Sequence, residues 1–250
     1  MMSLLFSLLD FFVENLPSLR LTLWLFPCCL LWCFLTLYIA GIAKKDWGWP
    51  TGYSRKIFHF VIFFSAYMVQ VIYDLKGVFI LGWSASLVVF YACYKGTGNH
   101  YFEALAREKD APFRTRYILY SYLATLVGGV FSNLFFHEFA IFGYAITGIS
   151  DAIAEPIGTK YGKHTYRVFS FNQSKISERS IEGSIAVFLS ALVISVCIVY
   201  TSALFTISFP VLLMIALICA LVEAVSPCGF DNAILQWASS ALFFYFLSAG

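Results

Sequence analysis

The stretch FAIFGYAITGISDAIAEPIGTKYG, residues 139–162, decides how this chain folds. It is an apolar run of the length that a helix needs to cross a bilayer, which is about 20 residues. Two carboxylates, Asp151 and Glu155, nevertheless lie inside it. Three residues that weaken or end helices accompany them: Pro156, Gly158 and Gly162. Because a charge within a membrane costs on the order of 3 kcal/mol, such acids normally face protein or water. The stretch therefore predicts a membrane helix with a polar site at one end.

The composition of the whole chain agrees with a membrane protein. Of its 250 residues, 60% are hydrophobic and only 12% are charged, and the mean hydropathy is +0.80. A soluble domain is closer to half apolar and a quarter charged. The net charge of +2 does not suggest a nucleic-acid partner. We expect a single membrane domain over residues 19–250, preceded by an amphipathic interfacial segment over residues 1–18.

The fold class predicted is an all-α, polytopic membrane helix bundle. Apolar stretches of about the length of a span recur along the chain, and we expect about eight transmembrane helices, with seven to nine as the range. The predicted spans are 19–43, 57–73, 77–94, 117–135, 139–157, 182–200, 205–225 and 232–249.

Positive charge is unevenly distributed between the connecting loops. Loops 44–56, 95–116 and 158–181 hold fourteen of the 16 Lys and Arg residues. With eight spans these three loops fall on one side of the membrane, and only Arg20 and Lys76 fall on the other. Cytoplasmic loops carry the excess of Lys and Arg, so this side is predicted to be cytoplasmic, with both termini outside.

The acids of the opening stretch share one helix face, because Asp151 and Glu155 are four residues apart. Asp151 lies about six residues from the cytoplasmic end of its span, or roughly 9 Å deep. We expect Pro156 and Gly158 to end the helix. Hard oxygen ligands beside water are suited to a divalent cation. The alternative is a pair of acids that simply extend to the interface at a helix end.

A second polar cluster, KISERSIEGS at residues 175–184, opens the next span. Ser180 is a plausible N-cap, and Glu182, Gly183 and Ser184 form the first turn. Cations precede the helix at Lys175 and Arg179. A helix N-terminus flanked by cations is suited to phosphate, although an ordinary capped helix start has the same pattern.

Two further clusters fall at the same side of the membrane. EAVSPCGFDN, residues 223–232, places Glu223 near the end of one span and Asp231 and Asn232 at the start of the next. SRKIFH, residues 54–59, carries Arg55, Lys56 and His59. Polar groups at one membrane face suit an enzyme that joins a water-soluble anion to a lipid. A transporter more often places them near the midplane.

The loop 95–116 is predicted to contain a short amphipathic helix. Its apolar residues Phe102 and Leu105 would lie on the bilayer, and Glu103 would pair with Arg107 four residues later. Arg114 and Arg116 would anchor to lipid phosphates, with contact to the substrate as the alternative.

Taken in order, SRKIFH, SDAIAEPIGTKYGK, RSIEGS and EAVSPCGFDN resemble the membrane family of polyprenol, dolichol and phytol kinases. That family belongs with the CDP-diglyceride synthases in a superfamily that uses CTP. The similarity covers residues 54 to 235. The sequence departs from the family pattern at Ser150, where Gly is usual, and at Arg179, where Lys is frequent; Glu155 is not general to the family.

The resemblance implies Mg²⁺-dependent transfer of the CTP γ-phosphoryl group to a lipid alcohol. Asp151 would be the leading metal or phosphate-site carboxylate, and Gly158 and Gly162 would belong to the nucleotide loop. Candidate phosphate contacts and second-motif residues are Arg55, Lys56, Lys160, Lys163, Lys175, Arg179, Ser180, Gly183 and Ser184. Candidate metal ligands are Asp151, Glu155, Glu223, Asp231 and Asn232. Catalytic roles are expected for Asp151, Glu182 and His59.

Other functions remain open from the sequence. A cytidylyltransferase that makes a CDP-lipid from phosphatidate would use the same nucleotide, metal and membrane face, and would release pyrophosphate. An ion-coupled transporter would need acids that are reachable from both faces, and a non-catalytic scaffold would need none of them. A bacterial inner membrane is the expected location, with the endoplasmic reticulum or a plastid membrane as the alternatives.

Overall fold

The protein folds as a helical, membrane-type bundle, which confirms the predicted fold class. The structure, a computed structural model, describes residues 2–169, 177–202, 206–227 and 229–248. Within these residues the helices are α1 (Met2–Glu14), α2 (Leu19–Lys45), α3 (Thr51–Lys95), α4 (His100–Leu105), α5 (Arg114–Phe136), α6 (Ala140–Tyr161), α7 (Ile181–Thr201), α8 (Phe209–Val225) and α9 (Asp231–Ser248). Short 3-10 turns cover Glu108–Asp110 and His137–Phe139, and two strands, β1 (Thr165–Val168) and β2 (Ser177–Ser180), lie between α6 and α7.

Several helical segments are long and apolar enough to cross a membrane. Among the described residues they are Leu19–Lys45, Thr51–Lys95, Arg114–Tyr161 and Ile181–Thr201, with Phe209–Val225 as a shorter apolar helix. Two of these segments are too long for a single crossing, because 45 helical residues extend roughly 68 Å against a core of about 30 Å.

Each of the two long segments is interrupted near its middle. Asp74 has φ 54° and ψ −162° inside α3, and His137 has φ 49° and ψ −124° between α5 and α6. Positive φ is uncommon for residues other than glycine and breaks the helical hydrogen-bond pattern. The breaks fall between the predicted spans 57–73 and 77–94 and between 117–135 and 139–157. The total of eight spans remains a prediction.

Helix α6 lies at the centre of the bundle, in contact with α3, α7 and α9. Its glycines allow these close contacts. A Cβ atom at Gly148 would lie 2.3 Å from Cβ of Phe63 on α3, and one at Gly143 would lie 2.4 Å from Oγ of Ser240 on α9. Small residues let membrane helices approach closely. The helix that carries the acids of residues 151 and 155 is therefore surrounded by protein.

The predicted end of α6 at Pro156 and Gly158 is wrong. The helix continues to Tyr161, and Gly162 is its C-cap, with its N–H bonded to the Gly158 carbonyl 3.1 Å away. Proline removes one N–H from the helix, and neighbouring groups in a bundle can satisfy the carbonyls that it disturbs. The carbonyl of Pro156 itself accepts a hydrogen bond from the Tyr53 hydroxyl at 3.4 Å.

The strands β1 and β2 form an antiparallel hairpin that the sequence did not predict. Thr165 pairs with Ser180, and Tyr166 pairs with Arg179. The hairpin delivers the chain directly into α7, so it positions Arg179 and Ser180 at the start of that helix. Lys175, a predicted phosphate contact, lies outside the described residues.

The loop 95–116 also differs from its prediction. Phe102 is buried at 1% exposure rather than lying on the bilayer. Glu103 pairs with Arg114 at 2.6 Å instead of with Arg107, which binds Asp110 at 2.8 Å. The loop therefore packs onto the bundle, where it can contribute side chains to a site.

Candidate functional site

The polar clusters that are separated in sequence meet at one cavity of about 320 Å³. Helices α3, α6, α7, α8 and α9 contribute to its wall, together with β2 and the loop after α4. We call it the polar cavity. Its charged wall includes Asp151, Glu155, Glu223, Asp231, Arg55, Arg107 and Arg179.

One ion-pair network joins the start of α3 to the acids of α6. Lys56 Nζ lies 2.5 Å from Asp151 Oδ2 and 3.2 Å from Glu155 Oε2. Arg55 Nη2 donates to Glu155 Oε2 at 2.7 Å. His59 Nε2 lies 3.2 Å from the same Asp151 oxygen. The Lys56 side chain is only 6% exposed, so these charges compensate one another within the bundle.

A second network is centred on Arg179. Its Nη1 lies 2.6 Å from Glu223 Oε1, and its Nη2 lies 3.3 Å from Asp231 Oδ2. A guanidinium group offers several donors in a fixed plane, so one arginine can hold carboxylates from α8 and α9 together. Burial alone would lower the pKa of Arg179, but Glu223 and Asp231 raise it above its usual value. The residue therefore remains a cation.

Glycines on both helices allow α6 and α7 to pack closely. A Cβ atom at Gly158 would lie 2.9 Å from Ser180 Oγ, and one at Gly183 would lie 3.4 Å from the Ala154 carbonyl oxygen. Ser180 caps α7 as predicted, because its Oγ accepts the N–H of Gly183 at 3.1 Å. The N–H of Ile181 is bound to the His164 carbonyl at 2.9 Å. The start of α7 thus offers fewer unused donors to a phosphate than the sequence suggests.

Several predicted residues lie away from the wall of the polar cavity. Glu182 Oε1 pairs with His164 Nδ1 at 2.9 Å, Lys163 is exposed, and Lys160 lies over the Tyr161 ring at 5.1 Å. The side-chain amide of Asn232 donates to Thr125 Oγ1 at 3.1 Å. Their proposed roles in catalysis, phosphate binding or metal binding stay predictions.

Sequence reasoning missed the cations that the loop 95–116 brings to the site. Arg107 and Lys109 both line the polar cavity. The density of cations in this loop is a signal, but the local pattern predicts only a pair between Arg107 and Glu103 and gives Lys109 no role. Only the folding of the loop onto α3 shows that these side chains reach the same cavity as the acids of α6.

The carboxylates do not form a preformed metal centre within the described residues. No group of three or more His, Cys, Asp or Glu side chains suited to a metal ion is found in that part of the chain. The acids are instead paired with Lys56, Arg55 and Arg179. Mg²⁺, however, is usually bound through one or two carboxylates together with substrate phosphates. A metal that arrived with a nucleotide would therefore need only one or two of these carboxylates.

Comparison with known proteins supports the resemblance seen in the motifs. The chain is similar to phytol kinase from Synechocystis sp., with 31% identity over 128 residues. The match covers 48% of this chain and 52% of that protein, so the chain spans about half the length of the curated relative it matches. No protein-family model and no solved structure matches the chain. The similarity supports a family of phytol or polyprenol kinase type, and the link to CDP-diglyceride synthases stays a prediction.

Proposed function

We propose that this protein is a kinase that transfers the γ-phosphoryl group of CTP to a lipid alcohol of the polyprenol or phytol type. The observation that carries the proposal is the polar cavity, in which paired carboxylates and arginines stand beside an apolar pocket that enters the bundle. The similarity to phytol kinase supports the same reaction class. We expect the cavity to face the cytoplasm, and a bacterial inner membrane to be the location.

The arginines of the cavity suit a triphosphate. Phosphoryl transfer depends mainly on positioning and on neutralising charge at the phosphates. Arg55 and Arg179 both line the cavity, and carboxylates hold them at 2.7 Å and 2.6 Å respectively. Arg107 lies between them in sequence and comes from a separate loop. Cations held in advance by surrounding groups stabilise transition-state charge without reorganising during the reaction.

Asp151 and Asp231 are the residues that would hold Mg²⁺. Both line the polar cavity. When bound, the metal would neutralise the phosphate oxygens. The other contacts of the two residues define what the protein itself contributes: Lys56 and His59 fix the Asp151 carboxylate, and Arg179 fixes that of Asp231.

The acceptor hydroxyl would be placed where the polar cavity meets the apolar pocket. His59 lines the apolar pocket, Asp151 lines the polar cavity, and their side chains are 3.2 Å apart. A general base must lie within hydrogen-bond reach of the proton that it removes. Either side chain meets this condition for a hydroxyl at the junction, so both are candidates for the base.

The test is label transfer with the purified protein in detergent. The protein is incubated with Mg²⁺, a panel of γ-labelled nucleoside triphosphates, and either prenols or phosphatidate. We expect label from CTP in the prenol fraction, with Asp151→Asn at least about 100-fold slower, the usual scale for losing a group that stabilises transition-state charge. Glu138→Gln, an exposed acid on the turn before α6, serves as the matched control.

The outcomes separate the possible functions. Pyrophosphate released only with phosphatidate would replace the kinase with a cytidylyltransferase. Label transfer that is unaffected by Asp151→Asn would refute the assignment of the cavity. If no nucleotide supports turnover on any acceptor, the proposed reaction is wrong.

A further inference from the structure

An apolar channel leads from the polar cavity into the bundle. We infer that this channel holds the hydrocarbon chain of the acceptor alcohol and limits its length. The inference rests on the proposed function, since the channel begins where that function places the acceptor hydroxyl.

The channel begins as a narrow neck of about 100 Å³. Arg55 and Arg107 line both the neck and the polar cavity, so the two spaces adjoin. Polar groups of the neck are Arg55, His59, the paired Arg107 and Asp110, and a few uncharged side chains that include Asn232. The rest of its wall is apolar, with Phe58 and Val89 of α3 and Ile118 of α5. A polar head at the arginines and an apolar tail in the neck match a long-chain alcohol.

The neck opens into an inner chamber of about 260 Å³. Ile62, Phe63 and Ala85 line both spaces, so the two spaces adjoin and the inferred channel passes between them. Along α5 it runs from Tyr117 at the neck to Asn133 in the chamber, which corresponds to roughly 24 Å at 1.5 Å per residue. This exceeds half of the hydrocarbon core, which is about 30 Å thick. A chain of several isoprene units would therefore lie against protein along much of its length.

Polar side chains and the N-terminal helix close the far end of the chamber. Gln70 Nε2 donates to Asn133 Oδ1 at 2.9 Å, and Asn133 Nδ2 donates to the Tyr144 hydroxyl at 2.5 Å. Phe12 of α1 stacks on Phe79 of α3 with ring centroids 5.6 Å apart. A hydrocarbon end cannot replace hydrogen bonds between buried amides, so extending it further would be costly. Phe11, Leu75 and Asn133 line both the chamber and a further cavity that Asp74 and Glu138 also line, so the inferred length limit lies where the apolar wall gives way to these polar groups.

The narrow neck favours a lipid with a single chain. It passes between α3 and α5, whose side chains Phe58 and Ile118 are both buried. Two acyl chains on one headgroup would need two such passages. A prenol fits this geometry better than phosphatidate, which is the acceptor of the alternative reaction.

Gly82 provides a direct test of the length limit. It lines the chamber, and a Cβ atom there would meet nothing within 4 Å, so Gly82→Leu would fill the channel without displacing protein. Leu87→Phe on the outer face of the same helix, where Leu87 is 50% exposed, is the matched control. Phe12→Ala is the opposite change, because it opens the closed end.

The readout is kcat/KM for geraniol, farnesol and geranylgeraniol. In Gly82→Leu we expect kcat/KM for geranylgeraniol, divided by kcat/KM for geraniol, to fall about tenfold. This is the effect of losing roughly two buried methylene groups. Phe12→Ala should raise the ratio, and Leu87→Phe should leave it within about twofold of the wild type. The ratio is insensitive to how much of each variant is folded. An unchanged ratio in Gly82→Leu would overturn the inference.

A photoreactive group at the terminal carbon of geranylgeraniol tests binding in the channel independently of phosphoryl transfer. Cross-links to chamber peptides that contain the buried residues Leu81 or Tyr144, lost in Gly82→Leu, would support the channel even if no phosphoryl transfer occurs. Cross-links confined to the outer surface would overturn the inference even if the protein is an active kinase.

Discussion

Replacing Arg179 with methionine should destabilise the protein strongly, because Arg179 is the cation between two carboxylates. The side chains of Arg179 and Glu223 are 13% and 10% exposed. Removing one partner of a buried ion pair costs about 3–5 kcal/mol, since the other charge remains buried. For a protein of this size each kcal/mol lowers the melting temperature by about 2–4 °C. We expect Arg179→Met to melt roughly 6–20 °C below the wild type.

Second-site variants identify the cause of that loss. Adding Glu223→Gln to Arg179→Met removes one of the two uncompensated charges and leaves that of Asp231, so the double variant should recover part of the lost stability. The expected coupling is about 1–3 kcal/mol. Arg179→Lys should lie between the wild type and Arg179→Met, because one ammonium group cannot reproduce the two contacts that the guanidinium makes with Glu223 and Asp231.

Thermal unfolding in detergent at neutral pH, followed by circular dichroism, measures these differences. Arg116→Met is the matched control, since Arg116 is exposed and stacks on Phe113, with its guanidinium 5.0 Å from the ring centroid. It should change the free energy of unfolding by no more than about 0.5 kcal/mol. The reasoning would be refuted by an Arg179→Met variant that melts with the wild type, or by a double variant no more stable than the single one.

Three further predictions follow from individual contacts. Gly158→Ala should destabilise the protein by about 1–3 kcal/mol, because its new Cβ would lie 2.9 Å from Ser180 Oγ. In a Ser180→Ala background the same substitution should cost less free energy of unfolding. An equal loss of stability in both backgrounds would argue against this contact. Burial would raise the pKa of the Glu108 carboxyl, but Lys44 at 2.8 Å lowers it to about 2. The stabilisation from this pair is present above the ordinary pKa of 4.5 and is lost as the pH falls toward 2. Lys44→Met should therefore make the melting temperature less dependent on pH between these values. A melting temperature that varies with pH as strongly as in the wild type would contradict this. Glu182→Gln should lower kcat/KM in the label-transfer assay by less than about threefold, because the side chain lies outside the polar cavity. A loss of about 100-fold, the scale of a transition-state contact, would show that Glu182 acts in catalysis.

The sequence alone determined the features that depend on residues close to one another along the chain. Long apolar stretches establish a helical membrane protein, because the transfer of each residue from water to lipid is nearly independent of its partners. The N-cap at Ser180 was also predictable, since it satisfies an N–H only three residues away. The prediction that acids such as Asp151 face protein was likewise a local argument about the cost of charge in lipid.

Predictions from one segment of sequence were wrong where the conformation depends on a helix or loop that packs against that segment in the folded protein. Pro156 was expected to end α6, yet the surrounding helices keep the chain helical to Tyr161. Phe102 is predicted to lie on the bilayer and Arg107 to pair with Glu103, yet the loop folds inward, buries Phe102 and brings Arg107 to the polar cavity. A propensity describes one segment in isolation, whereas these contacts come from segments brought against it.

Only the tertiary structure decided which charges meet. Arg55 pairs with Glu155, 100 residues away in the chain, and Arg179 pairs with Asp231, 52 residues away. The sequence indicates that buried acids need compensating cations, but any cation near the same membrane face would satisfy that requirement. The choice is made by the packing of α6 against α3 and α7, since side chains pair only where helix backbones approach closely, and steric fit between helices sets those approaches.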